Sequence, residues 1–288
     1  MDYTKKVKPI LKWAGGKTKT VNQLLKYFPV EFKNYHEPFV GGGAVFFNLF
    51  PEIKKWKATA FLSDNVEELI NLYKVIRDDL ETLIKISKNH IYDKQYYYIM
   101  RSLDLKKLSK VERASRMLYL NKTCFNGLYR VNSKGQFNVS FGEYVDPVIV
   151  DEEALRKASE AFQFAKLFCG DFELVLENAG AGDFVYLDPP YVPLSATSNF
   201  TGYTPGSFNI EDHYRLREIF EILKGRGCYV MLSNSNTELV KELYKGCNIK
   251  TINAIRAINS DITKRGSIKE LAILSYPDKE ASMPYLAL

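Results

Sequence analysis

Asp188-Pro189-Pro190-Tyr191 follows directly on the apolar run Phe184-Val185-Tyr186-Leu187, so an aspartate, a double proline and a flat ring stand at the end of an expected strand. Neither proline has an N–H with which to continue a ladder, and their fixed φ holds the preceding carboxylate and carbonyl in a stiff turn. The chemistry this corner suits is activation of an exocyclic nucleobase amine such as that of adenine. The lone pair of such an amine is delocalised into its ring, and acceptors on both N–H bonds favour a pyramidal nitrogen with an available lone pair. Asp188 Oδ and the Pro189 carbonyl are two such acceptors, Tyr191 offers a face for a base to stack on, and the prolines keep the three in register. The competing reading is a proline turn with an N-capping aspartate. The strand in front and the tyrosine behind weigh against it.

The elements that must position this corner alternate between strand and helix. A short extended piece at Tyr35–Glu37 runs through Pro38-Phe39-Val40-Gly41-Gly42-Gly43 into the apolar residues Ala44, Val45, Phe46, Phe47 and Leu49, a strand, glycine loop and helix. Ala58–Leu62 reads as a second strand, and Val66, Leu69, Ile70, Tyr73 and Ile76 form the stripe of a second helix. From about Glu81 to Lys122 the pattern is helical and basic. Leu128–Asn132 and Gln136–Phe141, joined by Ser133-Lys134-Gly135, read as a hairpin, because glycine suits a short turn that needs positive φ. After Pro147 the α/β rhythm returns, with strands expected at Phe184–Leu187, Tyr229–Leu232 and Leu271–Leu274 and a helix at Glu211–Lys224. Such alternation predicts a mainly parallel sheet covered on both faces, with ligands beyond the carboxyl ends of its strands. Asp64, Asp171 and Asp188 all fall where strands are expected to end.

Composition sets outer limits. With 288 residues, 46% of them apolar, the chain can bury a core for one catalytic domain and a smaller lobe. Cys124, Cys169, Cys228 and Cys247 lie far apart, and His36, His90 and His213 show no paired spacing, so neither a zinc site, a disulfide framework nor a histidine-dependent hydrolase is encoded. Buried free thiols are expected. No run resembles a signal peptide or reaches the length of a membrane span, which points to a cytoplasmic protein. Net charge is +6, but residues 85–134 hold twelve Lys/Arg against three acids and residues 1–33 hold eight lysines against two. A polyanion-binding face on an otherwise acidic protein has this asymmetry, and solvated helix faces are the equal alternative.

Asp-Pro-Pro-Tyr resembles the catalytic tetrapeptide of amino-group DNA methyltransferases, and the rest of the chain is similar to their Dam-type adenine branch. Lys12-Trp13-Ala14-Gly15-Gly16-Lys17, Glu37-Pro38-Phe39-Val40-Gly41-Gly42-Gly43, Asp64-Asn65, Phe125-Asn126-Gly127-Leu128-Tyr129-Arg130 and Gly170-Asp171-Phe172 resemble further motifs of that family. The resemblance implies an α/β fold, a Rossmann-like S-adenosylmethionine-dependent methyltransferase sheet with an inserted, mainly helical DNA-recognition module carrying a β-hairpin. It divides the chain into a catalytic first part over residues 1–65, the recognition module over 66–150 and a catalytic second part over 151–288. It implies S-adenosylmethionine as methyl donor without a metal, bound by Trp13, Lys17, Phe39, Gly41, Gly42, Gly43, Asp64, Asp171, Phe172 and Asp188. Glycines at 41–43 let backbone approach the methionine moiety. Asp64 would accept ribose hydroxyls, with a helix cap as the alternative. Asp188, Pro189 and Tyr191 would be catalytic.

A base inside a duplex cannot reach such a corner, so the resemblance implies flipping of the target adenine. It places Lys12, Phe125, Asn126, Leu128, Arg130, Ser140 and Tyr144 on double-stranded DNA and Tyr203 in a closing loop, Pro193–Asn209. Phe125 would fill the gap, core packing being its alternative, and Arg130 would read a guanine or else hold a phosphate. GATC is the implied site. Ser140 and Glu143 stand where the resemblance leads one to expect proline and arginine, so the reader departs from the pattern while the catalyst does not. A bacterial or phage monomer, with or without a cognate restriction endonuclease, is the implied setting. Competing readings are methylation of cytosine N4, a catalytically silent DNA-binding protein of the same fold, and methylation of protein glutamine, which goes with asparagine in place of Asp188.

Overall fold

The computed structural model describes residues 7–193, 208–255 and 267–277. In chain order its helices are α1 (Val21–Leu24), α2 (Ala44–Trp56), α3 (Glu67–Asp78), α4 (Leu80–Ser87), α5 (Lys94–Ser102), α6 (Lys110–Thr123), α7 (Glu152–Phe162), α8 (Val175–Asn178), α9 (Ile210–Gly225) and α10 (Glu238–Leu243). The strands are β1 (Tyr35–Glu37), β2 (Ala60–Asp64), β3 (Ala165–Cys169), β4 (Phe184–Leu187), β5 (Tyr229–Ser235), β6 (Asn248–Ile255) and β7 (Ser267–Leu274). They form one sheet in the order β3-β2-β1-β4-β5-β7-β6. β1 runs parallel to β4 and β4 to β5, whereas β7 is antiparallel to both β5 and β6. The run 3-2-1-4-5 is that of a Rossmann-like, doubly wound sheet whose order reverses between β1 and β4. The fold is therefore the expected α/β one, with β7 slotted antiparallel between β5 and β6. That insertion had no counterpart in the expected parallel pattern.

The chain divides into two compact units, one of Met1–Gly16, Val40–Lys57 and Leu62–Phe172, the other of Lys17–Phe39, Ala58–Phe61 and Glu173–Leu288. In the first, Phe46 stacks on Phe162 at 5.7 Å, and Phe47 and Tyr73 tilt against the same ring. All four are at most 1% exposed, and burial of each phenylalanine stabilises by about 1.5–3 kcal/mol. The helical stretch expected over residues 81–122 is three helices, α4 to α6. The last starts at a reciprocal cap between Ser109 and Glu112. Tyr97, Tyr119, Leu120, Cys124, Phe137 and Val139 form a second core beneath these helices.

Residues 128–141 turn back on themselves as expected of a hairpin, but isolated bridges at Val131–Phe137 and Cys124–Phe141 take the place of a continuous ladder. Side chains supply the missing order. Asn132 Oδ1 accepts from the N–H groups of Lys134 and Gln136, both at 3.0 Å, and Gly135 takes φ +74°. Such an Asx turn satisfies backbone donors that a ladder would otherwise pair.

In the second unit, all four residues of β4 are fully buried, as a strand covered on both faces requires. Phe28, Phe32, Tyr35 and Tyr186 gather around Phe184 or one another. Just before β4, Asp183 accepts from Asn34 N (3.1 Å), Asn34 Nδ2 (3.1 Å) and Gly180 N (3.0 Å), and its Oδ2 lies 3.0 Å from His36 Nε2. These bonds hold the Asp183 carboxyl below the usual carboxylate range against the opposing effect of burial. Cys124 and Cys228 are buried free thiols, but Cys169, at the end of edge strand β3, is exposed, contrary to the expectation of four buried thiols. Among the described residues no helix is long and apolar enough to cross a membrane.

Candidate active site and nucleic-acid interface

In the first unit the glycine loop, Trp13 and the end of β2 form one assembly. Gly41 N donates to Asp64 Oδ2 and Val66 N to Asp64 Oδ1, each at 3.0 Å, and Tyr73 donates to the Gly41 carbonyl. Asp64 thus anchors the loop rather than capping α3, whose N-cap residue is Val66. Burial pushes its carboxyl up, and the backbone donors oppose that rise.

Gly41 and Gly43 take φ of +46° and +69°. A Cβ on Gly41 would stand 2.7 Å from Trp13 Cδ1 and one on Gly42 3.2 Å from Trp13 Cβ. Close approach of the indole, besides any approach of a ligand, is what requires glycine here. The indole in turn stacks on Tyr129 at 5.4 Å. Gly41→Ala is expected to cost about 1–2 kcal/mol for the left-handed backbone alone and to displace Trp13. The emission of Trp13, one of two tryptophans, checks this in chemical denaturation against the wild type. Asp171 lies exposed beyond β3, and Phe172 is buried at the head of a 3-10 turn.

Lys12, Phe125, Asn126, Leu128, Arg130, Ser140 and Tyr144, expected on DNA, also lie within this unit. Asn121, 1% exposed on α6, accepts from Lys12 N (3.0 Å) and donates to the carbonyls of Lys12 (2.8 Å) and Gly127 (3.1 Å). It ties the Lys12-Trp13 segment to the Phe125–Gly127 turn. Lys12 Nζ lies 4.7 Å from the centre of the Tyr144 ring, and Tyr144 donates to the Cys124 carbonyl at 2.8 Å. Phe125 N donates to the Ser140 carbonyl at 2.9 Å, Asn126 takes φ +56°, and Phe125 is 51% exposed. A half-exposed phenylalanine on so braced a turn is not core packing. Leu128, by contrast, packs on the module's own core.

Arg130 is exposed and donates through Nε to Asn138 Oδ1 (2.7 Å) and through Nη2 to the Asn138 carbonyl (3.1 Å). Two of its five N–H groups are thus engaged, and the Nη1/Nη2 end keeps a forked pair of donors.

The local charge of the module overstates its basic face. Arg113 pairs with Glu67 and Glu68, and Lys88 pairs with Glu152. Arg116 is buried and donates to the Met100 and Arg101 carbonyls, and Arg101 donates to that of Val139. These cations serve packing and helix ends, which a charge count cannot distinguish from a face offered to a polyanion.

In the second unit, Asp188 follows β4 beside the point where strand order reverses. Its side chain is 16% exposed, and Oδ1 is shielded from solvent. Lys17 Nζ stands 2.7 Å from Oδ1 as an ion pair, and a carboxylate oxygen has lone pairs enough to accept a further hydrogen bond. Burial pushes the Asp188 carboxyl up, and Lys17 opposes the rise. The same ammonium lies 4.8 Å from the centre of the Tyr191 ring, whose hydroxyl donates to Glu270 Oε2 at 3.0 Å.

The backbone just past the prolines is fastened by the end of β5. Val192 N donates to Asn234 Oδ1 (3.1 Å) and Ser235 Oγ donates to the Val192 carbonyl (2.7 Å). Side chains here do what a ladder partner would do for a strand. Phe39 meets Phe208 edge-on at 5.8 Å. Tyr203, with most of the loop expected to close, lies outside the described residues.

Asn121, Asn234, Ser235 and Glu270 escaped the sequence reading. Asn121 had a signal, since it stands four residues from Met117 on the apolar stripe of a helix. Asn234 and Ser235 also had one, as polar residues closing an apolar strand. Glu270 had none, because its partner is remote in sequence.

Comparison with known proteins gives the same direction. The family model of the D12 class N6 adenine-specific DNA methyltransferases matches residues 13–258. The Type II methyltransferase M1.LlaDCHI of Lactococcus lactis subsp. cremoris is 44% identical over 278 residues, covering 94% of this chain and 96% of the relative. The Type II methyltransferase M.MjaIII of Methanocaldococcus jannaschii is 44% identical over 290 residues, covering 94% and 99%. The DNA adenine methylase of Haemophilus influenzae is 35% identical over 272 residues, covering 92% and 93%. With a rigid acidic corner following β4 and near-complete coverage at these identities, the chain belongs to the D12 class of N6 adenine-specific DNA methyltransferases.

Proposed function

We propose that this enzyme methylates N6 of an adenine flipped out of duplex DNA, at GATC, with S-adenosylmethionine as donor. The observation that carries the reading is the shielded Asp188 carboxylate at the end of β4, ion-paired with Lys17. When bound, the donor supplies a methyl group activated on a sulfonium. Trp13, Gly41, Gly42, Gly43, Asp64, Asp171 and Phe172 would hold it. The positive-φ glycines and an acidic group at the end of β2 fit a ligand carrying vicinal hydroxyls.

Catalysis then consists of what the chain does to the amine. Asp188 Oδ1 and the Pro189 carbonyl accept its two N–H groups, Tyr191 stacks on the ring, and Lys17 favours the charged form of Asp188 against the rise that burial causes. A low-water corner strengthens each contact without reorganisation during the reaction. Flipping costs a few kcal/mol of stacking. Phe125 would replace that stacking, and Asn126, Arg130, Ser140, Tyr144 and Lys12 would hold or read the duplex. The Type II names of the two 44% relatives support a role beside a restriction endonuclease.

Arg130→Ala is expected to cost about 1–3 kcal/mol of discrimination at one base pair. Methylation rates on duplexes with single substitutions check this, and an equal loss on every sequence would make Arg130 a phosphate contact. For the site itself, DNA treated with the enzyme is expected to resist an endonuclease blocked by GATC methylation. Full sensitivity together with N6-methyladenine elsewhere would move the site and leave the reaction standing.

A further inference from the structure

Asn121 is buried on α6, outside every motif that carries the family resemblance. Its amide holds two stretches of backbone at once. Oδ1 accepts from Lys12 N at 3.0 Å and Nδ2 donates to the Lys12 carbonyl at 2.8 Å, so the amide pairs both backbone groups of Lys12 as a neighbouring strand would. The second Nδ2 proton goes to the Gly127 carbonyl at 3.1 Å, which uses up the donors of the amide. The same turn seats the Lys12 side chain. Gly127 takes φ +64°, and a Cβ there would stand 2.6 Å from Lys12 Cβ and 2.7 Å from Lys12 Cδ. From this seat the ammonium lies 4.7 Å from the centre of the Tyr144 ring. Tyr144 is itself fixed, since its hydroxyl donates to the Cys124 carbonyl at 2.8 Å and its N–H to the Tyr92 hydroxyl at 2.7 Å. Phe125, two residues before Gly127, is 51% exposed on the turn so held. A helix that needed only to pack would carry an apolar residue at 121, because asparagine is a weak helix former and a buried amide must find partners.

We propose that Asn121 couples base reading by Lys12 to base extrusion at the Phe125 turn, as a positioning residue that holds both on one buried amide. The inference rests on the proposed placement of Lys12 and Phe125 on the duplex. Lys12 reaches a base edge only when its backbone stands at a set distance from the DNA, and Phe125 enters the stack only when its turn does. With one amide spanning the two, the bond that Lys12 forms with its base also favours the inserted turn. A wrong base there opposes both. The coupling acts through contacts that differ between two states of the DNA, stacked and extruded. Asn121 itself touches no nucleotide, because it is 1% exposed and its three bonds are made within the protein.

The test measures single-turnover methylation, and flipping by fluorescence in matched duplexes with 2-aminopurine at the target position. It compares the wild type, Lys12→Ala, Asn121→Ala, Gly127→Ala and the double variant of Lys12 and Asn121. Duplexes carry one substituted base pair at a time, and thermal melting is the control for folding. The base pair at which Lys12→Ala loses discrimination is the one that Lys12 reads. In the wild type a wrong pair there should lower flipping as well as rate. In Asn121→Ala the same wrong pair should lower each at least about fivefold less, the small end of a coupling between sites. The cost of Lys12→Ala should shrink to match, and discrimination at the other base pairs should stay as in the wild type. Gly127→Ala, which crowds Lys12 from the turn, should show the same selective loss, and it decides the matter if Asn121→Ala melts too low to assay. Activity that falls by one factor on every duplex, or costs of Lys12→Ala and Asn121→Ala that multiply, would make the amide purely structural and overturn the coupling. Lys12→Ala with wild-type discrimination at every base pair is a different result, and it overturns the placement of Lys12 on a base along with the coupling.

Discussion

Asp188→Ala lowers methyl transfer by about 10²–10³-fold, the scale for removing one preorganised electrostatic partner from a reacting centre, and leaves DNA binding intact. None of the residues proposed to hold or read the duplex is changed, so filter or anisotropy binding should read the wild-type affinity while labelled-methyl transfer falls. Retained transfer would mean that the amine is activated elsewhere. The pH dependence carries the same information. An acceptor must be ionised, so the rate falls as pH drops through the Asp188 pKa. Burial sets that pKa above the ordinary carboxylate range despite Lys17. The acid limb of the kcat profile is therefore expected higher than a solvated aspartate gives. It should vanish from the residual activity of Asp188→Asn, which cannot titrate.

Asp183→Ala produces the largest expected loss of stability. Asp183 is 3% exposed and holds Asn34 through two bonds, Gly180 N through a third and His36 through a fourth. Its removal strands these donors at the start of β4. Breaking a buried, hydrogen-bonded charge network costs about 3–5 kcal/mol, and a domain of this size loses about 2–4 °C of Tm per kcal/mol. Differential scanning calorimetry against the wild type checks the drop. The sign with pH also follows. The folded-state pKa of Asp183 lies below its unfolded value, so its contribution is present above the unfolded pKa of about 3.9. It is lost as pH falls through the lower, folded value. An Asp183→Asn protein should show a flatter acid limb of stability than the wild type. If alanine were tolerated without a shift in Tm, the network would be ornamental.

What could be read from the sequence was whatever is local in the chain. Tyr35–Glu37, Phe184–Leu187 and the helix near Glu211–Lys224 announce themselves through apolar runs or helical spacing, and the observed elements fall within a residue of those bounds. The motif residues were legible because a proline pair, a glycine triplet and a strand-ending acid are themselves short-range devices. The turn over residues 128–141 was read as a regular hairpin, since alternation and a glycine predict a ladder. Side chains of Asn132 and Arg130 that capture the backbone are invisible to periodicity. The charge of the module misled for a related reason. Whether an arginine meets a glutamate, as Arg113 does, or meets solvent depends on tertiary placement. Glu270 and Asn121 are the extreme cases, because each acts on residues about 80 or 109 positions away.

The most direct measurement is a crystal structure of the protein with a duplex carrying its target adenine and a non-reactive analogue of the methyl donor. The extruded adenine is predicted to place N6 within about 2.7–3.2 Å of both Asp188 Oδ1 and the Pro189 carbonyl, its ring against Tyr191. An adenine left stacked in the duplex, or extruded with N6 bonded to neither oxygen, would contradict the account.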